Sequence, residues 1–360
     1  MAQISSSAAT DGSVAPIFPF VCPRCRAPVE RTPDGHGCPA CGAAYPLRDG
    51  VASFTDLGYF YGALPQESVI ELIRLTAENR MGEVRRYLAE RKVKGRKVFL
   101  RGFQDSFADG RFVAPIDKKS RVLDLGCGYG GLSIPLARSS GEVVSVDATF
   151  ERVKMTALRA EREGLANLVP VHANALELPL PPASFDCVFL NGVLEWVGEW
   201  DHSRAPREVQ LGVLRKANDL LKAGGTLYLA IENRWGLELL YRRKDHNKLY
   251  WTSFMPRAIA DLLTRLLKRK PYRTYTYGRA SLERLVREAG FAAVDFYCPW
   301  PRYQDPDAIV RHGDEAAFAS MAKIQPEAFG RLEALAFQGL RTLGLHWTVA
   351  PAWIVLARKR

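Results

Sequence analysis

Between Val122 and Leu136 the chain passes from an apolar run, through Gly126, Gly128 and Gly130, into a second apolar run at helical spacing. Strand, tight turn and helix in that order make half of a nucleotide-binding unit, which commits the surrounding chain to a layered α/β architecture. The glycines remove side chains where backbone must approach a ligand. The helix behind them directs unpaired N–H groups and a positive dipole end at the same place, which suits an anionic or strongly polar group. A glycine triplet alone is a weak signal, so its meaning rests on what the rest of the chain brings beside it.

The alternation continues. Glu142–Asp147 reads as a second strand ending in an acid, Glu151–Glu163 as a helix, Leu168–His172 as a third strand and Phe185–Leu190 as a fourth. A helix over Arg207–Leu221 leads through Gly224 and Gly225 into a fifth strand, Thr226–Ile231, and Phe291–Cys298 and Ala352–Ala357 read as the sixth and seventh. Strands alternating with helices predict a parallel sheet whose ligands bind beyond the carboxyl ends of the strands. Asp147, Asn174, Asn191 and Glu232 all stand at such ends. Asp147 follows Gly126 by 21 residues, a spacing that lets a carboxylate accept hydrogen bonds from both ribose hydroxyls of a nucleoside lying across the turn. Singly, Asn174 and Asn191 would serve equally well as turn caps; their joint placement favours a site.

Residues 1–19 carry Ser, Ala, Gly and Pro without apolar periodicity, so a flexible tail is expected there. Next, Cys22, Cys25, Cys38 and Cys41 form two C-x-x-C pairs separated by twelve residues. Four thiolates close a tetrahedral zinc site, leave no position for water, and make the metal structural. The ribbon is expected over 20–56, a helical connection over 57–117 with two helices between Gln66 and Leu100, and the main domain over 118–360. Insertions are expected at about 233–277 and 299–350. In the first, Pro256 opens a helix whose Ile259, Leu262, Leu263, Leu266 and Leu267 form an apolar stripe, read as a buried face, with Arg265, Lys268, Arg269 and Lys270 toward its C-terminal end. Trp235, Tyr250 and Trp251 in the same insertion would suit stacking on a ring. In the second, Pro299–Pro306 reads as loop and Glu315–Met321 and Pro326–Thr342 as helical.

At 360 residues with 47% hydrophobic content, the chain is long enough for one large domain and a small satellite. No apolar run approaches the roughly 18 residues of a membrane span. The first residues lack a basic start followed by an apolar block, so a cytoplasmic protein is expected, in which seven cysteines point to metal binding or burial rather than disulfides. The formal charge of +11 is concentrated: Arg85–Arg101 carries eight basic residues against Glu90, and Arg257–Arg287 carries nine against Asp261 and Glu283. A solvated basic surface is the common meaning of such runs, with RNA or a membrane surface the minority reading.

With Asp124-Leu-Gly-Cys-Gly-Tyr-Gly130, Asp147, Asn174–Pro179, Phe185-Asp186, Asn191–Leu194 and Leu221–Thr226, the chain resembles the class I S-adenosylmethionine-dependent methyltransferases of the methyltransferase-11 group. The resemblance implies an α/β fold with a seven-stranded, mostly parallel Rossmann-like sheet, its last strand antiparallel, and helices on both faces. S-adenosylmethionine would be the cofactor. Its amino-acid end would lie on Asp124 and the backbone of Gly126, Gly128 and Gly130, its ribose on Asp147 beside Ala148, its adenine edge on Asn174 and Ala175, and its methyl group beside Asn191. Two positions depart from the family: Asn174 stands in place of the usual Asp, and Ala223 in place of the usual Pro. The N-terminal segment resembles small zinc ribbons that precede or partner many methyltransferases.

A sulfonium is already activated, so the protein chiefly aligns a nucleophile and removes its proton. Glu232, Asp245 and His246 are the candidate bases, with His246 the imidazole and Asp245 or another acid its orienting partner. The segments Asn191–Gly198, Ile231–Gly236 and Asp245-His246 are similar to those of methyltransferases of surface-polysaccharide or secondary-metabolite pathways, which implies O-methylation of a sugar-like or other small polar acceptor. An RNA base methyltransferase is the nearest rival and a non-catalytic scaffold that binds the cofactor is another. An NAD dehydrogenase would need a second mononucleotide-binding half that the sequence lacks.

Overall fold

Twelve strands join edge to edge in the computed structural model, which describes residues 18–360 apart from 57, 59, 61, 63, 92, 94, 242, 243 and 325–338. Four short strands come first: β1 (Glu30–Thr32), β2 (Gly35–Gly37), β3 (Ala44–Arg48) and β4 (Val51–Ser53). Helices α1 (Gln66–Ala77), α2 (Met81–Glu90) and α3 (Arg96–Arg101) and a 3-10 segment over Asp105–Val113 lead to the alternating region. That region runs β5 (Arg121–Leu125), α4 (Ser133–Ser139), β6 (Glu142–Asp147), α5 (Phe150–Arg162), β7 (Leu168–His172), β8 (Phe185–Asn191), α6 (Pro206–Leu220) and β9 (Leu221–Glu232). An excursion carrying α7 (Leu237–Tyr241) and α8 (Arg257–Lys268) follows. The chain then completes α9 (Arg279–Glu288), β10 (Phe291–Trp300), β11 (Ala308–Arg311), α10 (Glu315–Ile324) and β12 (Ala352–Lys359).

The strand order is β1-β2-β3-β4-β7-β6-β5-β8-β9-β12-β10-β11. β7, β6, β5, β8 and β9 are parallel, and β12 lies antiparallel between β9 and β10. The seven expected strands are therefore present with the last one reversed. Val122, Leu123, Val143, Val144, Val188 and Leu229 show no exposed surface, as strands covered on both faces require. From β5 the chain builds outward through β6 and β7, then crosses to β8 on the other side of β5, so the switch point falls between β5 and β8.

The additional strands sit at the two edges. At one edge β11 pairs with β10. At the other, β4 runs parallel to β7, with Ala52 opposite Val171 and Ser53 opposite His172, so the N-terminal ribbon continues the sheet instead of hanging from it. An open β7 edge would present unpaired backbone groups, and β4 covers them. Arg26 fastens the contact by donating to the carbonyls of Leu178 and Leu180, each at 2.7 Å, and the Val21 N–H donates to Pro179 O. Phe18, within the segment expected as tail, is buried against Phe185, and residues 1–17 of that tail lie outside the described residues.

Other departures have local causes. The expected pair of helices after the ribbon is three, because Asn79 and Gly95 both take positive φ and break the run. The Gly-Gly turn is absorbed into β9, with a register shift against β8 between Phe185 and Cys187. The helix expected over Pro326–Thr342 lies largely outside the described residues. α8 reverses the expected orientation: it buries Ala260 and Thr264 and turns Ile259, Leu262, Leu266 and Leu267 outward. Among the described residues no helix is long and apolar enough to cross a membrane.

Candidate active site

β5 ends at the glycine turn, which is pinned because the N–H groups of Gly126 and Cys127 both donate to Val146 O on β6, at 2.7 and 2.9 Å. Gly126 has φ +85°, and a Cβ there would stand 2.4 Å from a Val193 methyl, so no other residue fits without displacement. Gly128 has φ +56° and open space around it, leaving its backbone accessible. The turn lines a cavity of about 330 Å³ at the switch point, together with Asp124, Asp147, Ala148, Ala175 and Asn191.

Asp147, at the tip of β6, accepts hydrogen bonds from the N–H groups of Gly128 (3.0 Å) and Thr149 (2.9 Å) and stands 3.5 Å from Arg152. Its carboxylate is thus held between the glycine turn and the start of α5. Asp124 is buried and receives the Ser133 hydroxyl at 2.5 Å. Burial pushes its carboxyl up to about 7, against the Ser133 hydrogen bond and with help from the nearby charge of Asp147. Asn191 Oδ1 is buried at the cavity without a hydrogen-bond partner among the described residues.

Asn174 is placed differently from the other expected residues. Its Oδ1 accepts from the Leu176 N–H at 3.1 Å and it is absent from the cavity lining, although Ala173 and Ala175 on either side are present. It caps a turn, and the backbone around it faces the cavity.

Beyond β9 lies a second group. His246 Nε2 is 3.3 Å from Glu232 Oε2, and Glu195, Glu232 and His246 bring ligand atoms within 4.8 Å of one another, close enough to share a proton or hold one cation. Glu195 is fully buried, and burial together with the Glu232 charge holds its carboxyl well above the usual range. The Tyr303 hydroxyl lies 3.4 Å from Glu195 Oε1, and Trp196 packs edge-on against His246 with ring centroids 4.6 Å apart. Trp196 and Tyr303 both line the main cavity, so the group stands directly behind its wall. Asp245 does not orient His246. Its carboxylate accepts from the N–H groups of Asn247 and Leu249 and from the Thr252 hydroxyl, stapling its own loop; Glu232 is the acid beside the imidazole.

The aromatic residues of the cavity are Phe99, Phe107, Tyr129, Trp196, Trp200 and Tyr303. Trp235, Tyr250 and Trp251 are absent from its lining. Trp235 belongs to another cavity, of about 350 Å³, with Gly278 and Trp347, and Tyr250 and Trp251 are exposed. Glu195 and Trp196 were within reach of sequence reasoning, just past the end of β8. Phe99, Phe107 and Tyr303 arrive from distant segments with no local pattern to mark them.

The four ribbon cysteines also converge. Cys22 and Cys41 Sγ are 3.6 Å apart, and Cys25 and Cys38 Sγ 3.4 Å. Those separations approach the edge of a zinc–thiolate tetrahedron with bonds of about 2.3 Å. One route from the ribbon to the cavity runs through His172: Ser53 Oγ is 2.8 Å from His172 Nδ1, and His172 Nε2 is 3.2 Å from Ala148 O. Burial lowers the His172 pKa, so the neutral ring donates from Nε2 to the carbonyl and accepts the Ser53 hydroxyl at Nδ1, a tautomer assigned from its partners.

Residues 123–229 match the family described as methyltransferase domain. Over this stretch the chain is similar to S-adenosylmethionine-dependent methyltransferases. It is 29% identical over 192 residues to a demethylmenaquinone methyltransferase of Geobacillus kaustophilus, covering 50% of this chain and 74% of that enzyme. It is 33% identical over 153 residues to a ubiquinone biosynthesis O-methyltransferase of Ruegeria pomeroyi, covering 40% of this chain and 57% of that enzyme. A solved complex of the Haloferax volcanii Trm112 methyltransferase activator and a putative methyltransferase is similar at 15% identity and a TM-score of 0.41, over 80% of this chain and 97% of that one.

Proposed function

We propose that this methyltransferase moves the methyl group of S-adenosylmethionine to a hydroxyl of a small ring acceptor of the quinol type. The observation that carries this reading is the aromatic wall beside the Glu195–Glu232–His246 group. A planar ring suits such a wall, and the names of the two relatives above point to ring acceptors. The sugar-like acceptor loses its stacking platform, because Trp235, Tyr250 and Trp251 stand elsewhere. The cofactor supplies an activated methyl group. Asp147 would hold the ribose hydroxyls, Asp124 and the glycine turn would hold the amino-acid end, and Asn191 Oδ1, buried at the cavity, would offer a further acceptor. His246, oriented by Glu232, takes the proton of the attacking hydroxyl. Transfer of labelled methyl to a hydroxylated quinol tests the reading, and transfer to RNA instead overturns it.

A pH dependence follows from Asp124. Without the donor its buried carboxyl keeps a proton up to about 7, whereas the unfolded chain loses it near the ordinary value of about 4. The native chain therefore binds the extra proton in that window, and this group's contribution to stability falls as pH rises through it. A cationic ammonium from the donor favours the ionised carboxylate. S-adenosylhomocysteine affinity is expected to rise, by at most about tenfold per pH unit, toward pH 7 and to level above it. Calorimetric titration of Asp124→Asn should lose the rise.

The ribbon cysteines are proposed to hold one structural zinc. Elemental analysis should find about one zinc per chain, and Cys25→Ser with Cys41→Ser should release it. Because His172 links β4 to Ala148, the same double variant is expected to bind S-adenosylhomocysteine roughly fivefold more weakly.

A further inference from the structure

The outward residues of α8, Ile259, Leu262, Leu266 and Leu267, have 53%, 59%, 71% and 59% of their surface exposed. Their spacing puts them on one stripe. A helix packed on a protein core turns such a stripe inward, yet the inner side here is the small pair Ala260 and Thr264. The roll of the helix is fixed by polar contacts. Arg257 donates to the Thr276 carbonyl, and Asp261 Oδ1 accepts the Tyr272 N–H at 2.8 Å. The stripe cannot turn inward without breaking both.

Directly beyond it, Lys268, Arg269 and Lys270 are exposed, and no carboxylate among the described residues pairs with them. Arg265, one turn earlier, is engaged by Asp261 at 2.7 Å. Tyr250 and Trp251, 47% and 57% exposed, belong to the same excursion of the chain.

We propose that α8 lies flat on a bilayer surface rich in anionic phospholipid, with its apolar stripe at the acyl boundary and Lys268, Arg269 and Lys270 on the headgroup phosphates. A second copy would cover the stripe but leave Lys268, Arg269 and Lys270 without a counter-charge. RNA would neutralise the cations but leave four large apolar side chains in water. An anionic bilayer satisfies both halves of the surface. The docking stands whether the methyl acceptor is dissolved in water or in the bilayer, so it does not rest on the quinol reading. Since the excursion also carries His246, the docked chain would bring the catalytic group's own segment to the membrane.

The test is sedimentation of the full chain with vesicles of phosphatidylglycerol and phosphatidylcholine, and with phosphatidylcholine alone. The chain is expected to sediment with the anionic vesicles and much less with the neutral ones, and added salt should release it. The double variant Leu262→Ser, Leu266→Ser should bind about tenfold more weakly or worse. The triple variant Lys268→Gln, Arg269→Gln, Lys270→Gln should do the same. Both variants should bind S-adenosylhomocysteine as the native chain does, since they alter exposed positions away from the cavity. A native chain that stays in the supernatant with anionic vesicles overturns the proposal, as does a double variant that sediments like the native chain. Without vesicle binding, a dimer that the double variant dissociates would assign the stripe to a second copy. RNA binding lost in the triple variant, again without vesicle binding, would assign the charges to nucleic acid. Either result also overturns the proposal.

Discussion

Asp147→Ala is expected to weaken S-adenosylhomocysteine binding by about a hundredfold or more while the chain stays folded. The carboxylate is 7% exposed and sits where the glycine turn meets the start of α5, taking N–H groups from both. Two ribose hydroxyls donating to a charged acceptor contribute about 1.5–3 kcal/mol each, and alanine removes both. The cost to folding is smaller. The Gly128 N–H freed by the substitution opens onto the cavity, where water replaces its partner, and the turn keeps its pinning to Val146. Asp147→Asn, which retains one acceptor oxygen, should fall between alanine and the native chain. Titration calorimetry with a parallel thermal melt reads both quantities. Native-like affinity in a folded alanine variant would remove Asp147 from the donor site.

His246→Ala should lower kcat by about a hundredfold to ten-thousandfold and leave S-adenosylhomocysteine affinity unchanged. The imidazole lies against Glu232 and behind Trp196, outside the lining that carries the glycine turn and Asp147, so its loss should touch proton removal and not donor binding. Glu232→Gln keeps the shape but removes the charge that orients the ring, and a drop of about tenfold to a hundredfold is expected. Asp245→Asn separates the two acids of the region. Its hydrogen-bond partners among the described residues are all in its own loop, so it should lower the melting temperature with a much smaller effect on kcat. An acceptor that is already ionised at the assay pH should recover much of the His246→Ala loss, a rescue that a purely structural role would not give.

The sheet was legible because its strands are apolar on both faces and end in polar residues, a pattern carried by local sequence. The glycine turn and Asp147 were legible for the same reason: 21 residues fix them to neighbouring strand tips. Asn174 was ambiguous because an amide at a strand end serves a turn cap as readily as a ligand, and in the structure its Oδ1 accepts from the Leu176 N–H. Asp245 misled through its adjacency in sequence to His246. The imidazole's actual partner, Glu232, comes from β9, and its companion Glu195 from beyond β8, a meeting that no spacing announces. The reversed face of α8 was hidden for a different reason. Periodicity identifies an apolar stripe, but which way it points depends on the polar anchors Arg257 and Asp261. The ribbon's place on β7 likewise depends on an open edge that exists only once the sheet is built.

The most direct test of the central claim is incubation of the full chain with methyl-labelled S-adenosylmethionine and a mixed panel of hydroxylated quinols, sugars and RNA. The expected result is label on a quinol oxygen, abolished by Asp147→Ala and greatly reduced by His246→Ala. Label in RNA, or a chain that binds the donor and labels nothing in the panel, would contradict it.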